Sequence, residues 1–167
     1  MQPRNTNRYC RRPRALLAVL PAVLLMLAGC DRQPAEPASG AMLYLRVCST
    51  CHGQNGQGRE PAFPPLAGSE WLALGPESVT VITLLGLTGE IEVAGRSYRG
   101  FMPPMAHLSD AEIAAIVEHV GQWADWTAPP DAERVAQLRA AVDGHGVLQG
   151  RAALEALLET LPDPAGS

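Results

Sequence analysis

Apolar residues between positions 113 and 120 recur with the period of an α-helix. They stand at positions i, i+3, i+4 and i+7, namely Ile113, Ile116, Val117 and Val120. This spacing predicts an amphipathic helix whose apolar stripe packs into the core. Ser109 and Glu112 form a capping-box pattern at its start, and Leu108 is placed to pack against Ile113 as a hydrophobic staple. The start of this helix is therefore predicted together with its buried face.

Other patterns predict further elements before this helix. Gly40, Tyr44 and Cys48 are four residues apart, which places them roughly on one face of a first helix. Pro76 and Glu77 suit the first turn of another helix. Its inward positions would be Val79, Ile82 and either Leu85 or Gly86. The segment IEVAGRSYRG, residues 91–100, predicts a small hairpin or an extended loop with Gly95 in the turn.

The last forty residues predict a helical extension. The segment TAPPD after Trp126 breaks the chain, and Asp131 is a suitable N-cap for a helix with apolar Val135, Leu138 and Val142. A further helix is indicated by Leu154, Leu157, Leu158 and Leu161, again at i, i+3, i+4 and i+7. The pair either packs on the main domain, which we favour, or forms a docking site for a partner subunit. His145, between two glycines, is expected in a solvated turn.

The first thirty residues have the pattern of an export signal. Five arginines precede an apolar run over residues 15–27, which is short for a membrane span. The ending LAGC, residues 27–30, resembles the lipobox of bacterial lipoproteins, which implies lipidation of Cys30; an ordinary cleavage site is the alternative. Asp31 resembles an inner-membrane retention signal.

The predicted organisation is a lipoprotein signal peptide over residues 1–29, a tether over 30–39, a main domain over 40–127 and a helical extension over 128–167.

Charge limits the partners of the exported chain. The sequence has 13 basic and 17 acidic residues, and removal of residues 1–29 would take five arginines and no acidic residue. The remaining eight basic against 17 acidic residues give a net charge of −9. Such a surface does not bind nucleic acid through phosphate contacts and should favour a basic docking partner.

The segment CSTCHGQNGQG, residues 48–58, carries the chemistry. A Cys-x-x-Cys pair serves as a redox disulfide, half of a zinc site or a haem attachment point. A redox pair normally begins a helix after a strand, and zinc requires further ligands, whereas His107, His119 and His145 are far apart in the chain. Cys48 and Cys51 followed directly by His52 match the c-type haem signature, in which two thioethers hold haem and the histidine ligates iron.

Residues 40–126 resemble a class I c-type cytochrome, and more closely the bacterial monohaem lipoproteins and cytochrome c subunits of periplasmic dehydrogenases. The matching stretches are GAMLYLRVCSTCHGQNGQG, FPPLAGSEWL and GEIEVAGRSYRGFMPPMAHLSDAEIAAIVEHVGQW. The resemblance implies an all-α class I cytochrome c fold around one covalent haem c, to which the C-terminal helical extension is added. In this family the glycine and the aromatic residue of the first helix pack against the last helix of the fold.

The resemblance also implies the second iron ligand, a methionine in a Met-Pro segment. Met102 stands directly before Pro103, whereas Met105 occupies a site where relatives carry an aromatic or small residue. Met102 is therefore the expected ligand, with Met105 and His107 as rivals. The two prolines after Met102 favour a fixed, non-helical loop that presents the side chain.

Further positions are expected in or beside the site. Relatives hold the proximal histidine through the carbonyl of a proline two residues before a leucine, and Pro64 and Leu66 have that spacing. Tyr98 is a candidate hydrogen-bond donor to a haem propionate, as are Arg96 and Arg99, for which surface exposure is the alternative. His119 replaces an aromatic residue of the relatives, and we expect it to be a structural histidine with a lowered pKa.

A His/Met ligand pair favours electron transfer over catalysis, because it leaves no open iron position and raises the reduction potential. The expected function is that of a periplasmic monohaem cytochrome, not an enzyme, tethered to the inner membrane. It would pass single electrons between a dehydrogenase or quinol-oxidising complex and an oxidase or another acceptor. The alternatives are a haem enzyme or gas sensor with an exchangeable sixth ligand, and a structural lipoprotein in which haem stabilises the fold.

Overall fold

The computed structural model describes residues 38–163. Its helices are α1 Gly40–Val47, α2 Ser49–His52, α3 Pro76–Leu85, α4 Asp110–Val120, α5 Ala132–Ala141 and α6 Gly150–Leu158. Its strands are β1 Leu87–Val93, β2 Arg96–Met102 and β3 Leu148–Gln149, and two 3-10 helices cover Glu70–Leu74 and Gly121–Trp123. The predicted signal peptide, Cys30 and the tether as far as residue 37 lie outside the described residues. No helix within residues 38–163 has both the length and the apolarity to cross a bilayer.

Helices α1 and α4 cross at Gly40. A Cβ atom on Gly40 would lie 2.0 Å from the carbonyl oxygen of Ala115, so only glycine allows this approach of the two backbones. The start of α4 is as predicted, because the Ser109 and Glu112 side chains form a complete capping box. The predicted stripe of α4 is buried, and Tyr44 of α1 is fully buried beside it. The expected packing of the first helix against the last helix of the main domain is confirmed.

Strands β1 and β2 form an antiparallel hairpin directly after α3. Leu87 pairs with Met102 at its open end, and Val93 pairs with Arg96 beside the turn. Ala94 and Gly95 both have positive φ angles, 51° and 71°, as a two-residue hairpin turn requires. The hairpin alternative for residues 91–100 is therefore confirmed, although the strands extend beyond the predicted segment.

The expectation of an all-α fold is wrong. β3 pairs in parallel with β1, and the resulting sheet has the order β2–β1–β3. The backbone N–H of Leu148 also donates to the Gly86 carbonyl at 3.3 Å, where α3 leads into β1. These hydrogen bonds pair backbone groups at the edge of β1 that is not paired with β2. Without them, those groups would be covered by the C-terminal extension and left unpaired. A strand of two residues is too short to show an alternating pattern, so β3 could not be predicted from periodicity.

The C-terminal helices pack on the rest of the fold. α5 lies against α3 and α4, and α6 lies against α3 and β1. Their fully buried residues are Val135, Leu138 and Leu154, which join the same hydrophobic core as α1 and α4. Arg134 of α5 fixes this arrangement through a 2.6 Å ion pair with Glu77 at the start of α3. Both predicted helices are present, although α6 ends at Leu158, before Leu161, and His145 lies exposed in the turn between them.

Candidate functional site

Cys48, Cys51 and His52 lie within one short turn of helix. Cys48 caps the end of α1, and α2 follows from Ser49 to His52. Both cysteines are half-buried free thiols, so they form no disulfide with each other. Burial raises the pKa of the Cys48 thiol to about 11, and the neighbouring Cys51 contributes to this rise. Cys48 therefore lacks the low pKa of a reactive redox thiolate.

The ring of His52 is held by a backbone carbonyl. Its Nδ1 atom lies 3.0 Å from the carbonyl oxygen of Pro64, which can only accept, so Nδ1 carries the proton and donates. Burial lowers the pKa of His52, while the bond to Pro64 opposes this shift. The neutral tautomer leaves Nε2 with a free lone pair, which is the state that an iron ligand needs.

The glycine-rich loop after His52 brings Pro64 to this position. The N–H of Gly58 donates to the His52 carbonyl at 2.8 Å, and the N–H of Leu66 donates to the Gly56 carbonyl at 2.7 Å. Gly58 has a φ of 74°, and a Cβ atom there would lie 2.7 Å from the carbonyl oxygen of Phe63. The residues after the motif thus form a tight turn that folds back on the histidine, as turn chemistry in this segment predicts.

Met102 and Met105 line the same cavity as Cys48, Cys51 and His52. Met102 is the last residue of β2, and Met105 follows two prolines and donates its N–H to the Thr83 carbonyl at 2.8 Å. Gly86, at the end of α3, lets this segment approach, because a Cβ atom there would lie 2.5 Å from the Met102 carbonyl oxygen. Both methionines line the cavity, so the choice of Met102 over Met105 still depends on the Met-Pro pattern.

A cavity of about 210 Å³ connects these groups. Cys48, Cys51, His52, Met102 and Met105 all line it. Most of the remaining lining is apolar and comes from every part of the main domain: Val47, Pro64, Leu66, Trp71, Leu72, Val79, Ile82, Leu87, Ile91, Val93, Leu108, Ile116 and Val120. The inward positions predicted for α3, Val79 and Ile82, are part of this wall. The donor set of two thiols, one anchored imidazole and a thioether in an apolar cavity fits haem c.

Of the three propionate donors considered, only Tyr98 lies at the cavity. Its side chain is largely buried, and its hydroxyl makes no hydrogen bond within residues 38–163 but is not a fully buried atom, so it is accessible to another acceptor. Arg96 and Arg99 instead point outward and form exposed ion pairs with Glu60 and Glu90. The surface alternative therefore holds for both arginines.

His107 lies on the surface and does not line the cavity. His119 packs beside Tyr44, with their ring centroids 5.1 Å apart, and burial lowers its pKa, as expected for a structural histidine. Neither side chain joins the group formed by His52 and the methionines.

Sequence reasoning assigned no role to Trp71, although it lies in the matching stretch FPPLAGSEWL. The indole of Trp71 lines the cavity and donates to the Glu92 carbonyl of β1 at 2.8 Å. The guanidinium carbon of Arg151, on α6, lies 5.7 Å from the centre of the Trp71 ring. Its partners come from residues 92 and 151, and no local pattern connects such distant positions.

Comparison with known proteins agrees with this geometry. A family model described as “Cytochrome C oxidase, cbb3-type, subunit III” matches residues 35–120. A protein named “Cytochrome c-552” from Thermus thermophilus is 46% identical over 113 residues, which covers 62% of this chain and 86% of that protein. A second “Cytochrome c-552”, from a particular strain of the same species, is also 46% identical and is covered over 76% of its length. The chain therefore belongs to this cytochrome family and is a class I c-type cytochrome, an electron carrier with covalently bound haem c.

Proposed function

We propose that the chain is a periplasmic, membrane-tethered monohaem cytochrome that passes single electrons between a dehydrogenase or quinol-oxidising complex and an oxidase or another acceptor. The observation that carries this proposal is the cavity in which the imidazole of His52 and the side chain of Met102 face the same apolar space. When bound, haem c supplies a one-electron couple between ferric and ferrous iron.

The residues around the cavity have separate roles in this proposal. Cys48 and Cys51 would hold the haem through thioethers, and His52 and Met102 would ligate its iron. The Pro64 carbonyl keeps His52 oriented, since its hydrogen bond to Nδ1 leaves only Nε2 free for iron. As an iron ligand, the thioether of Met102 would favour the ferrous state and leave no open position for oxygen or peroxide.

The apolar wall supports electron transfer in a second way. Leu66, Trp71 and Ile116 are among the apolar side chains that line the cavity. An environment of low polarity disfavours the ferric state, which carries the additional charge, and reduces the solvent reorganisation that accompanies electron transfer. Tyr98 is the buried donor available to a propionate at this wall.

The partners are proposed from chemistry and from the comparisons. The description of the matching family model names an oxidase subunit, which supports an oxidase as the acceptor. The net charge of −9 expected after removal of residues 1–29 favours a basic docking surface on the partner. The rate of electron exchange with such a partner should fall as salt is raised.

The membrane tether is proposed from the LAGC ending and the linker that follows it. Lipidation of Cys30 would hold the cytochrome at the membrane, and the residues before α1 would let it move between a donor and an acceptor. Cys30→Ser tests this directly: the haem protein should move from the membrane fraction to the soluble periplasm. A wild-type haem protein already found in the soluble fraction would contradict the tether without affecting the haem site.

Methionine ligation is tested with two matched variants. The oxidised wild-type protein should show the near-infrared sulfur-to-iron charge-transfer band. Met102→Ala should abolish this band, whereas Met105→Ala should retain it. Loss of the band in Met105→Ala but not in Met102→Ala would show that Met105 is the ligand instead. Carbon monoxide binding by the wild-type ferrous protein would instead support an enzyme or sensor with an exchangeable sixth ligand.

A further inference from the structure

Arg139, on the C-terminal helix α5, uses all three guanidinium nitrogens in contacts with the main domain. Its Nε atom donates to the Asp110 carboxylate at 2.7 Å. Its Nη1 and Nη2 atoms donate to the carbonyl oxygens of Ala106 and Leu108, each at 2.8 Å. The side chain is about two thirds buried, so water competes only weakly for these bonds.

The two carbonyls belong to the segment that carries Met102. After Met102, two prolines and Met105 lead directly to Ala106 and Leu108, and α4 begins at Asp110. On its other side this segment is held by α3, because the Met105 N–H donates to the Thr83 carbonyl at 2.8 Å. The segment is therefore fixed between α3 on one side and the extension helix α5 on the other.

We propose that Arg139 is a positioning residue for the methionine ligand, so that the C-terminal extension holds residues 102–108 closed over the cavity. This inference rests on the proposed function, in which Met102 is the axial ligand. The planar guanidinium spreads its donors over three nitrogens, whereas the three donors of lysine share one nitrogen, so lysine fits three acceptors placed around a guanidinium less well. Loss of these bonds allows the segment, and with it the thioether, to leave the iron more often.

Arg134 offers a matched control on the same helix. It is more deeply buried than Arg139 and bonds to Glu77 and to the Pro162 carbonyl, at 2.6 Å each. None of its hydrogen bonds reaches residues 102–108. Arg134→Gln therefore weakens the attachment of the extension without removing a bond to the methionine segment.

The experiment measures opening of the segment in the haem-loaded protein. With saturating imidazole, the ferric form binds the added ligand at the rate at which the methionine leaves. Arg139→Gln should raise this limiting rate about tenfold or more, because three charge-assisted hydrogen bonds are lost. Arg139→Lys should fall between Arg139→Gln and wild type, and Arg134→Gln should remain within about twofold of wild type.

Amide hydrogen exchange in the ferrous protein gives a readout that does not depend on ligand exchange. The Met105 and Leu108 amides should exchange faster in Arg139→Gln, and they should exchange at the wild-type rate in Arg134→Gln. Unchanged imidazole binding in Arg139→Gln, or equal acceleration in Arg134→Gln, would overturn the positioning role. A wild-type protein without the sulfur-to-iron band would refute the proposed ligand set instead, so the two failures are distinguishable.

Discussion

The Nδ1 atom of His52 lies 3.0 Å from the carbonyl oxygen of Pro64, twelve residues further along the chain. The turn that makes this contact depends on Gly58, which has a φ of 74° and allows no Cβ atom beside the backbone of residues 63–65. The orientation of His52, the proposed iron ligand, is thus set by a glycine that has no side chain to contact it.

Gly58→Ala should disturb this contact and destabilise the fold. Positive φ costs an alanine roughly 1–2 kcal/mol, and displacement of the backbone near Pro64 should bring the total loss of unfolding free energy to about 3 kcal/mol. A longer Nδ1–carbonyl bond also makes the imidazole of His52 a weaker donor, so the reduction potential should rise. Urea unfolding and a redox titration measure the two effects.

Gly68→Ala is the control for this prediction. Gly68 has a φ of 76°, yet a Cβ atom there would meet no other atom within 4 Å. The variant should lose only about 1–2 kcal/mol from backbone strain and should keep the wild-type potential. Equal changes of stability and potential in Gly58→Ala and Gly68→Ala would show that the close approach to Pro64 is unimportant.

Gly86→Ala should affect the methionine side of the cavity. A Cβ atom on Gly86 would lie 2.5 Å from the Met102 carbonyl oxygen and 2.8 Å from the nitrogen of Pro104. The methionine segment must therefore move away from α3, which should weaken or abolish the sulfur-to-iron band and lower the reduction potential.

The opposite end of α3 provides a control for Gly86→Ala. Gly75 has a φ of 93°, and a Cβ atom there would meet nothing within 4 Å. Gly75→Ala should introduce a similar backbone strain and lower the unfolding free energy by about 1–2 kcal/mol. The sulfur-to-iron band should be retained. A normal band in Gly86→Ala would contradict the proposed role of this close approach.

The sequence predicted the parts of the site that depend on local spacing. Cys48, Cys51 and His52 are neighbours in the chain. The start of α4 is marked by the capping box between Ser109 and Glu112, which are only three positions apart. The apolar residues on one face of a helix recur every three or four positions, so the buried face of the helix can also be inferred from their spacing alone.

The parts that could not be predicted depend on contacts between distant residues. Arg139 meets the Ala106 carbonyl 33 positions earlier, and Trp71 bonds to a carbonyl 21 positions later. A backbone carbonyl accepts a hydrogen bond whatever its side chain, so these partners leave no pattern in the sequence. The pairing of β3 with β1 also depends on the packing of the extension, which brings Leu148 to the sheet edge.

Tyr44 and Tyr98 carry hydroxyls that should respond differently to removal. The Tyr44 hydroxyl donates to the Gly53 carbonyl at 2.7 Å in a fully buried position, and burial raises the pKa of Tyr44 to about 12. Tyr44→Phe should therefore lower the unfolding free energy by about 1–3 kcal/mol, because the carbonyl is left without its partner. Chemical denaturation of the haem-loaded protein measures this loss.

Tyr98→Phe should shift the reduction potential of the haem-loaded protein. Its hydroxyl has no protein partner among residues 38–163, so its removal breaks no bond within the fold described here. If it donates to a haem propionate, the loss of that bond changes the charge distribution beside the iron. A potential identical to wild type would exclude this role.

His119 lies in an aromatic group between α1 and the end of α4. Its ring centroid is 5.1 Å from that of Tyr44 and 5.7 Å from that of Trp123. Burial lowers the pKa of His119 below its ordinary value of 6.5, so the folded protein prefers the neutral ring. As pH falls below about 6.5, the unfolded chain takes up this proton first, and the free energy of unfolding must decrease until the folded pKa is passed.

His119→Tyr should remove this pH dependence and keep the fold, because an aromatic ring suits the contact with Tyr44. The variant should bind haem as wild type does, and its unfolding free energy should fall less than that of wild type between about pH 7.5 and 5.5. Urea unfolding at both pH values measures the difference, with His145→Gln as a control at an exposed turn. An equal fall of the unfolding free energy in wild type and His119→Tyr would assign the pH dependence to other groups. Loss of haem in His119→Tyr would show that the packing between α1 and α4 does not accept a tyrosine.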